Sequence, residues 1–397
     1  MSTIKVNSIK NTSTNDGGIA IDNTGHVQVD GVQLPTAGPF SNRNLVVNGG
    51  MRVAQRGTSF AAATSSTYPA DRWMYERSTE AVVTVSQETD APPGYKNSIK
   101  AEITTADTST AASAFTQFLY KIEANDISHL EYGTADAKTC TISFWAKHSL
   151  TGTYPFSVQN HNGTRVYPSS YTINTADTWE YKTITFAGDT GGTWTTNGNG
   201  IGMRFIFCWN MGSNFTGGTA GAWAATTGYA DLTPTTGPDI NGTVGNTVQW
   251  AGVQLEVGEK ATPFEHRSFG DELARCQRYY ETTYRPGYSE GTNFNEEYSF
   301  PTSRPVAINF IASDDTTTAV SFSYRVTKRA EPTVRLFSAK TGTANRAHTY
   351  RNGAGNNSDV VIAAVWTTHN HCAIATGLNA VDKANEAYLH IVADSEL

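Results

Sequence analysis

At 397 residues the chain is long enough for two or three domains and a large buried core. Charged residues make up only 16% of it, against roughly 25% in soluble domains; hydroxyl and amide side chains with 11% aromatics supply the rest of its character, which suits pleated surfaces better than helices. The balance of 29 basic to 36 acidic residues argues against a duplex nucleic-acid binder, which needs a basic face to displace counterions.

Residues 1–40 alternate apolar and polar residues in very short stretches: Ile4 and Val6, Ile19 and Ile21, Val27 and Val29, Val32 and Leu34. NDGG, NTGH and VDGV punctuate them as turns. Strands this short cannot bury enough apolar surface alone and need a neighbouring domain or copies of themselves. The N-terminus has no apolar core of a secretory signal, and no apolar run approaches the roughly 20 residues of a spanning helix. Membrane insertion is therefore not expected. Cys140, Cys208, Cys276 and Cys372 are too scattered for a disulfide framework and read as buried thiols of a product made in a reducing cytosol.

Residues 41–267 follow as a series of alternating strands. TCTISFWAKH sets Cys140, Ile142, Phe144 and Ala146 against Thr141, Ser143, Trp145 and Lys147; NSIKAEITT sets Ile99, Ala101 and Ile103 against Lys100 and Glu102. GIGMRFIFCWN is apolar on both faces, as a central strand would be. With Gly/Asn turns between them, the pattern predicts a β-sandwich of jelly-roll type. In VQWAGVQLEV, alternation puts Trp250, Gly252, Gln254 and Glu256 on one face and Ala251, Val253, Leu255 and Val257 on the other. Trp73, Trp145, Trp179 and Trp209 sit in strands and are expected in the core.

Helical periodicity is clear over 268–281, where Ser268 can cap and Phe269, Leu273, Cys276 and Tyr280 form an apolar stripe. Residues 268–283 are therefore read as a helical neck. Residues 284–397 return to strands and form a C-terminal β tip, ending in YLHIVADSEL.

Three motifs carry a family resemblance. NLVVNGGMRVAQRGTSF with YPADRWMYERS resembles the opening of the carbohydrate-binding-module-like jelly roll of phage tail fibre proteins. VQWAGVQLEVGEKATPFEHRSFGDELARCQRYYE resembles its closing strand and following helix, and the acidic ending resembles the last strand of fibre tip modules. The resemblance implies a mainly β, trimeric fibre found on the virion and assembled in the host cytoplasm. Its N-terminal segment would dock to the tail or an adaptor protein, and its outer domains would adhere to host surface polysaccharide. A capsid-bound fibre or decoration protein of the same architecture, or a polysaccharide depolymerase tailspike, are the alternatives.

No nucleophile elbow, metalloprotease helix or phosphate loop is present, so no catalytic residue is assigned and an enzyme is not expected. Asp314 and Asp315 are adjacent and would face opposite ways on a strand, while Glu123 with Asp126 is a candidate carboxylate pair. Glu256 and His266 read as structural. A sugar site needs aromatic faces beside amides and hydroxyls, and aromatics in polar Gly-rich loops are the natural candidates: Trp194, Phe215, Trp223 and Tyr229. The competing role for these rings is to plug the open end of the sandwich. His369 and His371 are two apart, so on a strand both would face one way. Three such pairs around a trimer axis would offer six imidazoles to a transition metal.

Overall fold

The structure, a computed structural model, describes residues 8–10, 18–21, 27–29, 32–33, 41–227, 230–285, 287–293, 306–309, 319–350, 359–376 and 386–397. Near the N-terminus, Ser8–Lys10, Gly18–Ile21, Val27–Val29 and Val32–Gln33 form an antiparallel meander. Its register aligns Ile9, Ile19, Val29 and Val32 in one row across all four strands.

The central region is a two-sheet antiparallel sandwich. One sheet has seven strands in the spatial order Ala224–Ala225, Arg165–Ile173, Gly152–Asn160, Ile201–Met211, Phe115–Glu123, Trp73–Ser78 and Thr67–Ala70. The other has six: Glu180–Phe186, Cys140–His148, Thr247–Val257, Ser98–Thr105, Val82–Glu88 and Ser59–Phe60. Ile201–Met211 is the middle strand of its sheet, which explains why both of its faces are apolar. Met203, Phe205, Phe207 and Trp209 point into the core; Ile206 and Cys208 point outward but are also buried.

The core is dominated by rings. Trp73, Trp209 and Trp250 are fully buried, with Tyr120 stacked on Phe205 and Tyr75 on Trp209. All four cysteines are buried and free. Trp145 and Trp179, expected in the core, are only partly buried. Trp145 shares the outward face of its strand with Ser143 and Lys147, so alternation outweighs the apolar character of the ring.

The expected faces of Thr247–Val257 also need correction. A bulge lies where Ser143 pairs with Gln254 but Trp145 pairs with Ala251. Gly252 sits at the bulge with φ +61°, and a Cβ there would lie 2.5 Å from the Tyr95 ring. The extra residue turns Trp250 inward alongside Val253, Leu255 and Val257. Asn48, in the NGG turn, ties the opening of the domain together: its side chain bonds Val53 N–H and both the Val53 and Asp71 carbonyls, and its own carbonyl accepts from the Trp73 indole.

The helix spans Phe269–Gln277, with the Ser268 hydroxyl accepting from Asp271 N–H as expected. Its inward face is Glu272, Cys276 and Gln277, and Phe269 is 46% exposed. The helix packs on the sandwich, where the Glu272 carboxylate accepts from Asn48 N–H. It stops before the aromatic and β-branched run that follows, and Tyr280–Thr282 forms a strand of the next sheet instead of a last helical turn.

Among the described residues that C-terminal sheet has eight strands. Glu386–Asp394 pairs with Tyr280–Thr282, Val306–Asn309, Thr333–Ser338 and Arg346–Tyr350, so the final strand is its organising element. Beyond it, Ser395–Leu397 turns back onto the sandwich: Glu396 pairs with Arg72 and Arg56, and the Leu397 carbonyl accepts from Lys121 Nζ. Arg329 reaches the Ser395 and Glu396 carbonyls from the opposite side.

Among the described residues no helix is long and apolar enough to cross a membrane.

Candidate functional site

The outer face of the seven-stranded sheet carries a groove that begins in the register of four strands. One row is mostly apolar: Ile206, Leu119 and Met74 lie side by side, with Ser157 at its end. On one side runs Gln159, Arg204 and Lys121; on the other run Cys208, Gln117 and Glu76. The rings of Phe115 and Phe215 meet edge to face at 5.8 Å and close one end with Met211 and Leu232. The enclosed volume is about 270 Å³.

The groove's polar groups are unevenly satisfied. Gln117 donates to Glu76 at 3.0 Å, and Lys121 is held by the Leu397 carbonyl at 2.6 Å. Burial, with Arg204 nearby, holds the Lys121 ammonium below the usual lysine range. Gln159 is different. It is fully buried, lines the cavity, and neither its amide nitrogen nor its amide oxygen has a hydrogen-bond partner. The Ser157 hydroxyl on the same strand face is also buried and unpartnered. A buried polar atom left unpaired costs about 1–3 kcal/mol, so two on one amide call for an explanation. An amide offers two donors and an acceptor, the complement of neighbouring hydroxyls on a ligand, beside an apolar floor suited to a C–H face.

The expected ligand residues fall in different places. Phe215 is in the groove wall. Trp194 and Trp223 stand together elsewhere, their rings 5.5 Å apart and packed with Tyr132 and Tyr167 against the sandwich core. Both indole N–H groups are spoken for, Trp194 by Asp189 at 3.0 Å and Trp223 by the Ala187 carbonyl at 2.7 Å. Burial works against the Asp189 carboxylate, but the Arg165 fork and the Trp194 N–H outweigh it and hold it below its usual range. This is the geometry of an aromatic plug. Tyr229 lies outside the described residues, as do Asp314 and Asp315.

His369 and His371 do not share a strand face. His369 lies in the turn between Asp359–Thr367 and His371–Thr376, which pair as a hairpin. Both are exposed, and His371 Nδ1 lies 3.1 Å from the Thr368 hydroxyl. Among the described residues no group of three or more His, Cys, Asp or Glu is arranged to hold a metal ion.

Glu123 does not pair with Asp126 as a reactive dyad; it accepts from Arg278 at 2.6 and 3.0 Å and from the Tyr279 hydroxyl at 3.0 Å. Glu256 accepts from Thr262 N–H, Thr262 Oγ1 and Gln254, which closes the turn after its strand. His266 packs edge to face on Phe264 and at a tilt against Tyr95.

The sequence reading missed Gln159, Gln117, Leu119 and Phe115. A signal was present: Ile206 and Cys208 are apolar on the outward side of a strand whose inward side is already full.

No protein-family model matches the chain, and no curated protein matches it in sequence. Solved structures do resemble part of it. The enzymatically active domain of tailspike protein 4 of bacteriophage CBA120 aligns at 14% identity over 54% of this chain, with a TM-score of 0.31. The present chain spans only 22% of that one. A family 4 carbohydrate-binding module aligns at 18% identity over 53% of this chain and 98% of its own, with a TM-score of 0.27. The family 11 carbohydrate-binding module of a cellulosomal cellulase of Clostridium thermocellum aligns at 14% over 51% and 97%, with a TM-score of 0.26. The fold of the present chain is a mainly β, two-sheet antiparallel sandwich, and carbohydrate-binding modules are among its structural neighbours.

Proposed function

We propose that the protein is a phage tail fibre or receptor-binding protein whose sandwich adheres to a host cell-surface glycan through the groove on the seven-stranded sheet. The observation that carries this reading is Gln159, a residue of the cavity lining whose buried amide has no hydrogen-bond partner in the protein. A pyranose seated there would lay its C–H face on Leu119, Ile206 and Phe215 and offer hydroxyls to Gln159, Gln117 and Glu76. Binding without catalysis fits the lining, where Glu76 is the one carboxylate among the described residues; glycoside hydrolysis uses a pair about 5 to 9 Å apart.

The assembly in this reading is a homotrimer attached to the virion by its N-terminal segment. It is supported by the Ile and Val row of the N-terminal meander, in which Ile9 is 62% exposed and Ile19 44%. Repetition of a weak site three times supplies avidity. Light scattering is expected to give three times the 42.8 kDa chain mass.

The test is incubation of the full chain with purified host surface polysaccharide. Retention that Gln159→Leu and Phe215→Ala each weaken, with glycan length unchanged, is the expected result. Shortened glycan would make the protein a depolymerase, and retention indifferent to both substitutions would remove the groove.

A further inference from the structure

The opposite side of the sandwich carries rings that the core does not use. On the outer face of the six-stranded sheet, Trp145 is directly paired with Tyr181, their rings 5.4 Å apart, and Tyr181 is 46% exposed. On its other side Trp145 faces Ala251, which is fully buried, while the indole itself stays partly exposed. The segment that follows Val82–Glu88 crosses the same face. It brings Asp90 to Trp179, whose indole N–H it accepts at 3.3 Å, and places Tyr95 within hydrogen-bonding reach of Trp145. Tyr95 in turn packs against Phe264 at 5.2 Å. Thr183 and Thr185 stand exposed on the strand face that carries Tyr181.

Most charges beside these rings are already used, the exposed Lys96 next to Tyr95 being the exception. Lys147 is held by Asp90 at 2.6 Å; Lys100 is held by Glu102 at 3.1 Å and Glu88 at 3.3 Å. A single-stranded nucleic acid would find rings to stack on but, among the described residues, few unpaired cations to meet its phosphates. An acidic glycan is disfavoured for the same reason. Rings, hydroxyls and internally neutralised charges suit an uncharged pyranose chain, whose C–H faces stack on aromatic surfaces and whose hydroxyls need small polar neighbours.

We propose that Trp145, Tyr181, Tyr95 and Trp179 form a second glycan-binding surface, on the sheet opposite the groove, that takes a neutral polysaccharide lying across the rings. It stands independently of the groove, since no residue is shared. Two surfaces on opposite sheets let one protomer engage two stretches of glycan at once, which multiplies weak affinities.

The experiment is native affinity electrophoresis of the full chain in gels containing hydroxyethylcellulose, xylan, galactomannan or dextran. Retardation is expected in at least one gel, weakened about tenfold by Trp145→Ala and by Tyr181→Ser. Tyr181 is largely exposed, so its variant is expected to keep the wild-type near-ultraviolet dichroism even where Trp145→Ala does not. Gln159→Leu separates the two surfaces: retardation it removes belongs to the groove, and retardation the ring variants remove belongs to the platform. Mobility unaltered by any of the four polymers, or retardation that both ring variants retain in full, overturns the platform.

Discussion

The carboxylate of Glu396 is ion-paired with the guanidinium of Arg72, 324 positions earlier, with both side chains almost fully buried. Arg56 reaches the same carboxylate and also Asp71 and Asp394. The two guanidinium groups lie 3.6 Å over the rings of Tyr279 and Tyr280. Residues from VAQRG, PADRW, RCQRYYE and VADSEL, far apart in sequence, therefore meet at one junction between the sandwich and the C-terminal sheet. Burial works against the Arg72 charge, and the Glu396 carboxylate together with the neighbouring Tyr279, Tyr120 and Tyr68 more than restores it.

Removing one partner of such a pair leaves an uncompensated buried charge. Glu396→Gln is expected to cost roughly 3–5 kcal/mol. Chemical denaturation followed by tryptophan fluorescence and by far-ultraviolet dichroism checks it. The two probes are expected to coincide in the parent and to separate in the variant, because the C-terminal sheet loses its tether. A shift below about 1 kcal/mol would mean that Asp71 and Asp394 suffice for both arginines.

Gln159 invites the opposite experiment. Its amide atoms lack partners, so Gln159→Leu, of similar size, exchanges two unsatisfied polar groups for an apolar side chain. The variant is expected to be more stable by about 1–2 kcal/mol and to bind glycan at least tenfold more weakly. Thermal unfolding and polysaccharide retention measured on the same preparation check both halves. A variant that loses stability as well as binding would show that the amide has a structural role.

How much of this was legible in the sequence depends on the range of the interaction. Alternation marked the strand faces of Cys140–His148 and Ser98–Thr105, and the double-sided apolar pattern marked Ile201–Met211 as central, because period and burial are local properties. The Ser268 cap was legible for the same reason. The face of Trp250 was not. It depends on a one-residue bulge at Gly252, where the backbone packs closely on the Tyr95 ring more than 150 positions away. The groove was hidden more deeply, since Gln117, Gln159 and Ile206 become neighbours only through strand order. Loop aromatics were the visible candidates, and of these Phe215 lies on the groove while Trp194 and Trp223 seal the sandwich.

Gly252→Ala tests the bulge directly. The residue sits at φ +61°, which costs an L-residue on the order of 1 kcal/mol, and the added methyl would press on the Tyr95 ring. A loss of roughly 2–4 kcal/mol in unfolding free energy is expected. Tyr95→Ala should restore about half of it by removing the obstruction but not the strain. If Gly252→Ala is as stable as the parent, the strand can pair without the bulge, and Trp250 would then face outward as simple alternation predicts.

His148 supplies a pH dependence whose sign can be worked out. Its ring is fully buried, bonded to the Tyr171 hydroxyl at 2.9 Å and to the Gln249 N–H at 3.3 Å, and packed on Tyr154 and Trp250. Burial pushes its pKa down to about 3, against about 6.5 in an unfolded chain. Between those values the unfolded state binds a proton that the folded state refuses, so stability rises with pH and is fully present above about 6.5. As the pH falls below 6.5 it should drain away by at most about 1.4 kcal/mol per unit. His390, pushed down to about 4 by burial, acts in the same direction over a narrower window. Denaturant midpoints measured between pH 7 and pH 4.5 should therefore fall in the parent, and His148→Gln, which keeps a polar side chain but cannot titrate, should roughly halve the slope. An unchanged slope would assign the loss to other groups and would mean that His148 takes up its proton without leaving the core.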